Sequence, residues 1–199
     1  MAINFWVGFV GGIQTNSITI LLMVLSKIFV IKIRDQTEAI RQTMKISPIC
    51  RQIVELRDSV DSINRLMGST VFIKIVINGI FISSSFCVMA DNLNRQSPNC
   101  YIIFALVFTL FAQNLDLFIT SQSSQHICDA MRDLSQSTEN RISRNEFITI
   151  ADKQKFDLIL SLKEKICFRS GQVFDISLRT YLYVLNVTAT YAIILIQTD

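Results

Sequence analysis

Charge is scarce in this chain and unevenly placed. Only 18% of the 199 residues are charged while 50% are hydrophobic, and the charges collect between long apolar runs. That pattern argues against one ordinary soluble domain and for a membrane protein. The formal net charge of +3 is too small, and the basic residues too evenly mixed with acids, for a nucleic-acid partner. Catalytic equipment is equally sparse. The single histidine, His126, has no Ser or Cys partner in a recognisable motif. No phosphate-binding loop is present, and no carboxylate pair has a membrane-protease context. The chain therefore reads as a non-enzyme that needs no cofactor. Five cysteines, Cys50, Cys87, Cys100, Cys128 and Cys167, show no paired metal-ligand spacing, and His126-x-Cys128 reads as two polar residues just past a membrane helix. The first apolar stretch has no positive n-region and no small-residue cleavage site, so no signal peptide is expected. Neither an internal repeat nor a low-complexity tract is visible.

What is present is four apolar segments long enough to cross a bilayer as helices, about 5–31, 68–90, 100–121 and 176–197. Polar segments 32–67 and 122–174 separate them. The implied fold is all-α, with four transmembrane helices and long cytosolic helical extensions. Residues 27–67 carry eight Lys and Arg, residues 122–174 carry eight more, and the 91–99 turn has only Arg95. The positive-inside rule then puts both polar segments in the cytosol and the turn and chain ends outside. Cys87 and Cys100 flank that turn, which leaves a disulfide between them open. The other three cysteines fall on the cytosolic side, where thiols stay reduced.

Within 32–67, Ile49, Ile53, Leu56, Val60, Ile63 and Met67 follow a 4, 3, 4, 3, 4 spacing. That is a heptad-like stripe on a helix, with Pro48 setting a break before it. The stripe has no membrane to bury in, so it predicts a cytosolic helical bundle that also carries subunit contacts. In 122–174 the third helix should run on through Met131 and Leu134. The serines, Asn140 and Arg141 that follow break the pattern and predict a flexible loop. A further helix is expected over about 145–168, ended by Gly171.

Polar residues inside the spans narrow the functional reading. The first span has Gln14, Thr15, Asn16, Ser17 and Thr19 at its centre, beside Gly8, Gly11 and Gly12. Gln14 and Asn16, with Gln113 and Asn114 on the third span, are candidates to line a ligand cavity; ordinary interhelical contact is the competing reading. Lys74 and Asp116 lie at similar depth on antiparallel helices. A lone charge there is expensive, so the two are candidates for an intramembrane ion pair, unless each reaches water alone. On the last span, Arg179, Tyr183, Asn186, Thr190 and Gln197 are spaced 4, 3, 4 and 7. All five then fall within about 40° of one line along a helix. Such a stripe should face protein or water, not lipid. A pore and a contact within one subunit both meet that need.

The same span carries a resemblance. Thr190-Tyr191, five apolar residues (Ala192 to Ile196) and Gln197 resemble the carboxy-terminal signature of arthropod gustatory receptors, Thr-Tyr, five hydrophobics, Gln-Phe. Gly171 followed by Phe174-Asp175 is similar to that family's turn before its last span, while Thr198 stands where the family has Phe. The resemblance implies a seven-span receptor about twice this length, of which this chain matches the second half. It implies a plasma-membrane protein, embedded in lipid, with an external C-terminus. It further implies a ligand-gated, non-selective cation channel of four like subunits, identical or mixed, opened by a small-molecule tastant. The last span would line the pore, with Arg179 near its cytosolic mouth and Tyr191 packed on a neighbouring helix. Two other readings stand beside it. One is an insect odorant receptor of the same architecture. The other is a four-span membrane interaction protein without channel activity, for which the stripe and the ending would be coincidence.

Overall fold

The computed structural model describes residues 2–42, 46–94, 99–144, 150–162, 166–170 and 174–198, with side chains from Asn16 onward. Five helices and one small hairpin follow in order: α1 Ala2–Gln42, α2 Ile46–Asn94, α3 Cys100–Arg144, α4 Ile150–Ser161, β1 Arg169–Ser170, β2 Phe174–Asp175 and α5 Leu178–Thr198. The first three run 41, 49 and 45 residues, about twice what a bilayer requires. Stretches 16–42, 47–92 and 100–143 of these helices are long and apolar enough to cross a membrane. At 21 residues, α5 has the length of one further span.

The starts of α2, α3 and α5 have local features that suit them. Pro48 lies in the first turn of α2, where its missing N–H is harmless. Asn99 caps α3, its Oδ1 accepting from the Tyr101 and Ile102 amides at 3.0 and 3.4 Å. Ser177 does the same for α5, accepting from the Thr180 amide at 3.3 Å.

Helices α1 and α3 run parallel and pack most extensively of all the elements. Their register is fixed at both ends. Ser26 donates to the Ser123 carbonyl, Arg41 Nη2 donates to Ser137 Oγ at 3.2 Å, and Arg141 donates to the Ile40 carbonyl. Thr19, Leu22, Ser26, Phe29, Ile33, Thr37 and Ile40 form the buried stripe of α1. Facing it, Ser121, Ser124, Ile127, Met131, Leu134, Ser135 and Thr138 are buried on α3. The hydroxyl residues let the two backbones approach closely.

That seam overturns the expected loop. Ser135, Asn140 and Arg141 are helical, and α3 continues to Arg144. Ser135 and Thr138 are fully buried, and Thr138 returns its hydroxyl to the Leu134 carbonyl at 2.8 Å. The helix expected over 145–168 is also shorter. It spans Ile150–Ser161, and Ile166, Cys167 and Phe168 are buried without being helical. An unforeseen hairpin follows, pairing Arg169 with Asp175 and Ser170 with Phe174 in antiparallel register. Asn64 of α2 ties it down. Its Nδ2 donates to the Cys167 carbonyl and its Oδ1 accepts from the Arg169 amide, both at 2.9 Å. Gly171, the expected helix end, lies outside the described residues, as do Arg95 and Pro98 of the turn.

The heptad stripe is buried within the chain itself. Ile49, Ile53, Leu56 and Val60 join Phe156, Ile159, Leu162, Ile166 and Phe168 in one core, with Ile63 and Met67 packed against it. Phe29 of α1 meets Phe168 with ring centroids 6.1 Å apart. The four innermost stripe residues therefore leave no surface for a neighbouring subunit, contrary to the expected subunit contact. The opposite half of the molecule is inside-out. Among the described residues, all exposed large hydrophobics except Leu66, Ile150 and Leu158 fall within 5–31, 68–90, 100–121 and 176–197. A surface of Ile, Val, Leu and Phe at that level suits hydrocarbon, not water.

Candidate functional site

Three helices bring polar side chains into one buried node. Lys74 of α2 places Nζ 2.9 Å from Oδ2 and 3.1 Å from Oδ1 of Asp116 on α3. The lysine also donates to Thr120 Oγ1 at 3.3 Å and to the Thr19 hydroxyl of α1, which in turn donates to Asp116 Oδ1. Asn78, one turn beyond Lys74, donates to Asp116 Oδ2 at 3.1 Å. The Lys74 side chain is 1% exposed and that of Asp116 is 12% exposed. The carboxylate thus faces an ammonium, an amide and a hydroxyl at once, which is what a charge pair needs in a low dielectric. The node clamps α1, α2 and α3 at one level.

Sequence reasoning brought Lys74 and Asp116 to one depth but missed three partners. Asn78 and Thr120 stand four residues after Lys74 and Asp116 respectively, on the same helix faces, so that signal was available. Thr19 lay in the polar centre of the first span without a specific role.

The cavity candidates are placed as follows. Asn16 is exposed on α1, and Gln113 is half-buried on α3. The α1–α3 offset that joins Thr19 to Asp116 puts Asn16 and Gln113 at one level, about a turn from the node. Asn114 donates through Nδ2 to the Leu110 carbonyl at 2.8 Å, and its Oδ1 is buried without a hydrogen-bond partner. The Gln14 side chain lies outside the described residues.

On α5, Thr188 is buried, and Tyr181 and Val184 pack against the core. Tyr181 meets Phe118 of α3 edge-on at 5.7 Å. This orientation turns Arg179, Tyr183, Asn186, Thr190 and Gln197 outward, and all five are exposed. The stripe is not chemically uniform. Thr190 donates its hydroxyl to the Asn186 carbonyl at 2.8 Å, so its exposure needs no external partner. The amides of Asn186 and Gln197 have no such internal partner among the described residues, and they require a polar environment. Arg179 and Tyr183 also border a cavity of about 680 Å³ between α2 and α5, and exposed Tyr191 lines the same cavity.

None of the five cysteines is in a disulfide, Cys87 and Cys100 included. No cluster of three or more His, Cys, Asp or Glu suited to a metal occurs among the described residues. Cys128 of α3 and buried Cys167 share a hydrogen bond that draws the Cys128 thiol below its usual range and pushes Cys167 up, helped by burial and by Asp175. Burial alone pushes the Cys50 thiol up against a small opposing effect of Lys155.

No family model and no curated protein matches this chain. Among solved structures, the insect olfactory receptor OR5 from Machilis hrabei, in complex with eugenol, matches with a TM-score of 0.74 at 15% identity. The match covers 92% of this chain and 48% of that one, so the chain spans about half the receptor's length. The chain shares the all-α fold of the matched part of that receptor.

Proposed function

We propose that the chain is a subunit of a ligand-gated, non-selective cation channel of the insect chemoreceptor type, acting as a gustatory receptor rather than as an enzyme. The observation that carries the channel reading is the outward-facing pair of amides, Asn186 and Gln197, on a spanning helix. Facing lipid they would be unsatisfied; facing a shared aqueous axis they are hydrated. Four like subunits, each contributing α5, would enclose that axis. Both polar segments lie in the cytosol of a plasma-membrane receptor, so α5 rises from Arg179 at the cytosolic mouth to Gln197 at the outer end. A ring of Gln197 amides would pass cations without holding them tightly. Asn16, Gln113 and Asn114 would border the ligand cavity, completed by spans of the longer receptor, and the Lys74–Asp116 node beneath would hold three helices in register while the ligand acts.

Two observations favour different ligands. The Thr190-Tyr191-x5-Gln197 ending favours a tastant, whereas the fold neighbour, an olfactory receptor holding eugenol, favours a volatile odorant. Voltage-clamp recording tests both the class and the choice. The chain is expressed in oocytes, alone and with three spans of a related receptor joined ahead of Met1. It is then challenged with sugars, bitter alkaloids and volatile phenols. A ligand-evoked cation current supports the channel, and the active ligand group decides between taste and smell. Surface delivery of the extended chain without current under any ligand favours the interaction-protein reading.

A further inference from the structure

The cavity between α2 and α5 lies apart from the buried node and shares only Arg179 and Tyr183 with the outward stripe of α5. Its walls are mostly apolar, from Ile75, Val76 and Ile80 on one side to Val184 and Val187 on the other. Three hydroxyls in the wall are turned back to backbone carbonyls of nearby residues. Ser83 donates to the Gly79 carbonyl at 3.0 Å, Thr180 to the Asp175 carbonyl at 2.7 Å and Thr188 to the Val184 carbonyl at 2.7 Å. A polar small molecule would find few free groups there, whereas a hydrocarbon chain needs none.

Gly79 shows that this space is built in. Glycine in a spanning helix ordinarily lets another helix approach closely. Here an added Cβ would meet nothing within 4 Å. The cavity extends along α5 from Arg179 to Tyr191. Twelve residues of helix rise about 18 Å, close to the roughly 15 Å depth of one leaflet's hydrocarbon. At the Arg179 end, Phe72 and Phe174 form a tilted ring pair 6.2 Å apart. Arg179 itself is exposed and has no ion-pair partner among the described residues, because the nearby Asp175 is taken by Arg169 at 3.0 Å.

We propose that this groove holds an acyl chain of an anionic phospholipid from the cytosolic leaflet, with the Arg179 guanidinium on its phosphate. The cytosolic side of the assignment rests on the orientation given under Proposed function; it does not depend on channel activity. An apolar slot one leaflet deep, with a single unpaired cation at its mouth, complements a lipid tail and an anionic headgroup. Filling it also shields the exposed flank of α5.

The test uses the full chain in phosphatidylcholine vesicles with spin-labelled phosphatidylserine or spin-labelled phosphatidylcholine, reading the motionally restricted lipid by electron paramagnetic resonance. Phosphatidylserine should be preferred about fivefold at low salt, the expected effect of one interfacial arginine. Arg179→Gln should bring the preference to near unity while phosphatidylcholine is retained. Gly79→Leu, which meets open space and replaces glycine by a better helix former, should remove one restricted lipid of either type per chain without lowering the melting temperature. An unchanged preference in Arg179→Gln, or an unchanged lipid count in Gly79→Leu, overturns the proposal. If Gly79→Leu instead reduces cross-linking between chains at constant lipid count, the groove is a subunit contact and the lipid assignment fails. Absence of ligand-evoked current would count against the channel and leave these lipid counts unaltered.

Discussion

Replacing Asp116 by Leu strands the Lys74 ammonium between three helices. Lys74 is 1% exposed at its side chain, and its nearest carboxylate oxygen is 2.9 Å away. Removing one partner of a buried pair costs about 3–5 kcal/mol, because the remaining charge keeps its desolvation penalty and loses its compensation. Asn78 and Thr19 lose an acceptor in the same step, each worth roughly 1 kcal/mol. Asp116→Leu and Lys74→Met should each destabilise, the first more. The double variant removes both charges and should lie within about 1.5 kcal/mol of the parent, since apolar replacement of a buried pair is often neutral. The coupling between the two sites is then at least about 4.5 kcal/mol. Thermal unfolding of the purified chain in detergent, followed by the monodisperse fraction after heating, reads this directly. Asp116→Leu should lower the melting temperature by about 6 °C or more, and adding Lys74→Met should restore most of it. Single variants that melt with the parent, or a double variant that melts at the sum of the two losses, would show that water reaches both charges and that the node closes nothing.

Other consequences follow from the same structure. Leu56→Asp puts a charge into a core that holds Phe156 and Ile159; it forfeits roughly 1.5–3 kcal/mol of burial alone and should abolish the monodisperse chain, not convert an oligomer to monomers. Cys128, drawn down by Cys167, should be alkylated by maleimide at lower pH than Cys50, whose thiol burial pushes up. Cys167→Ala should move the Cys128 midpoint upward, and an unmoved midpoint would refute the hydrogen-bonded pair. Impermeant thiol reagents should label Arg95→Cys but not Arg141→Cys on intact cells; labelling of the second alone would invert the orientation.

Three of the expected spans were legible because each is a long apolar run with few charges inside it. Lys74 and Asp116 could be set at one depth from the rise per residue, but their partners could not be ranked without the rotation of α1. The serines of 135–143 read as helix breakers because local propensity treats them so. In the structure this stretch is held by tertiary contact, with Ser135 and Thr138 buried and Ser137 accepting from Arg41 of α1, an effect invisible to local propensity. The hairpin at Arg169–Asp175 is two residues per strand and depends on Asn64, more than a hundred positions earlier; a period of two cannot be detected over two residues. The outward face of α5 was readable as a stripe, but not the internal bond that satisfies Thr190, nor the groove that Arg179 shares with α2. Both depend on how α5 is rotated and docked.

Cysteine accessibility along α5, in channels assembled from this chain with three spans of a related receptor joined ahead of Met1, bears most directly on whether this helix lines a cation pore. Asn186→Cys and Gln197→Cys should be blocked by a charged methanethiosulfonate reagent during ligand-evoked current, and Gln197→Glu should raise divalent over monovalent permeation. Leu182→Cys and Ile194→Cys, also exposed on α5, should conduct unblocked. Block at Leu182 and Ile194 with none at Asn186 and Gln197, or permeation indifferent to a charge at position 197, would place the amides away from the ion path and contradict the pore.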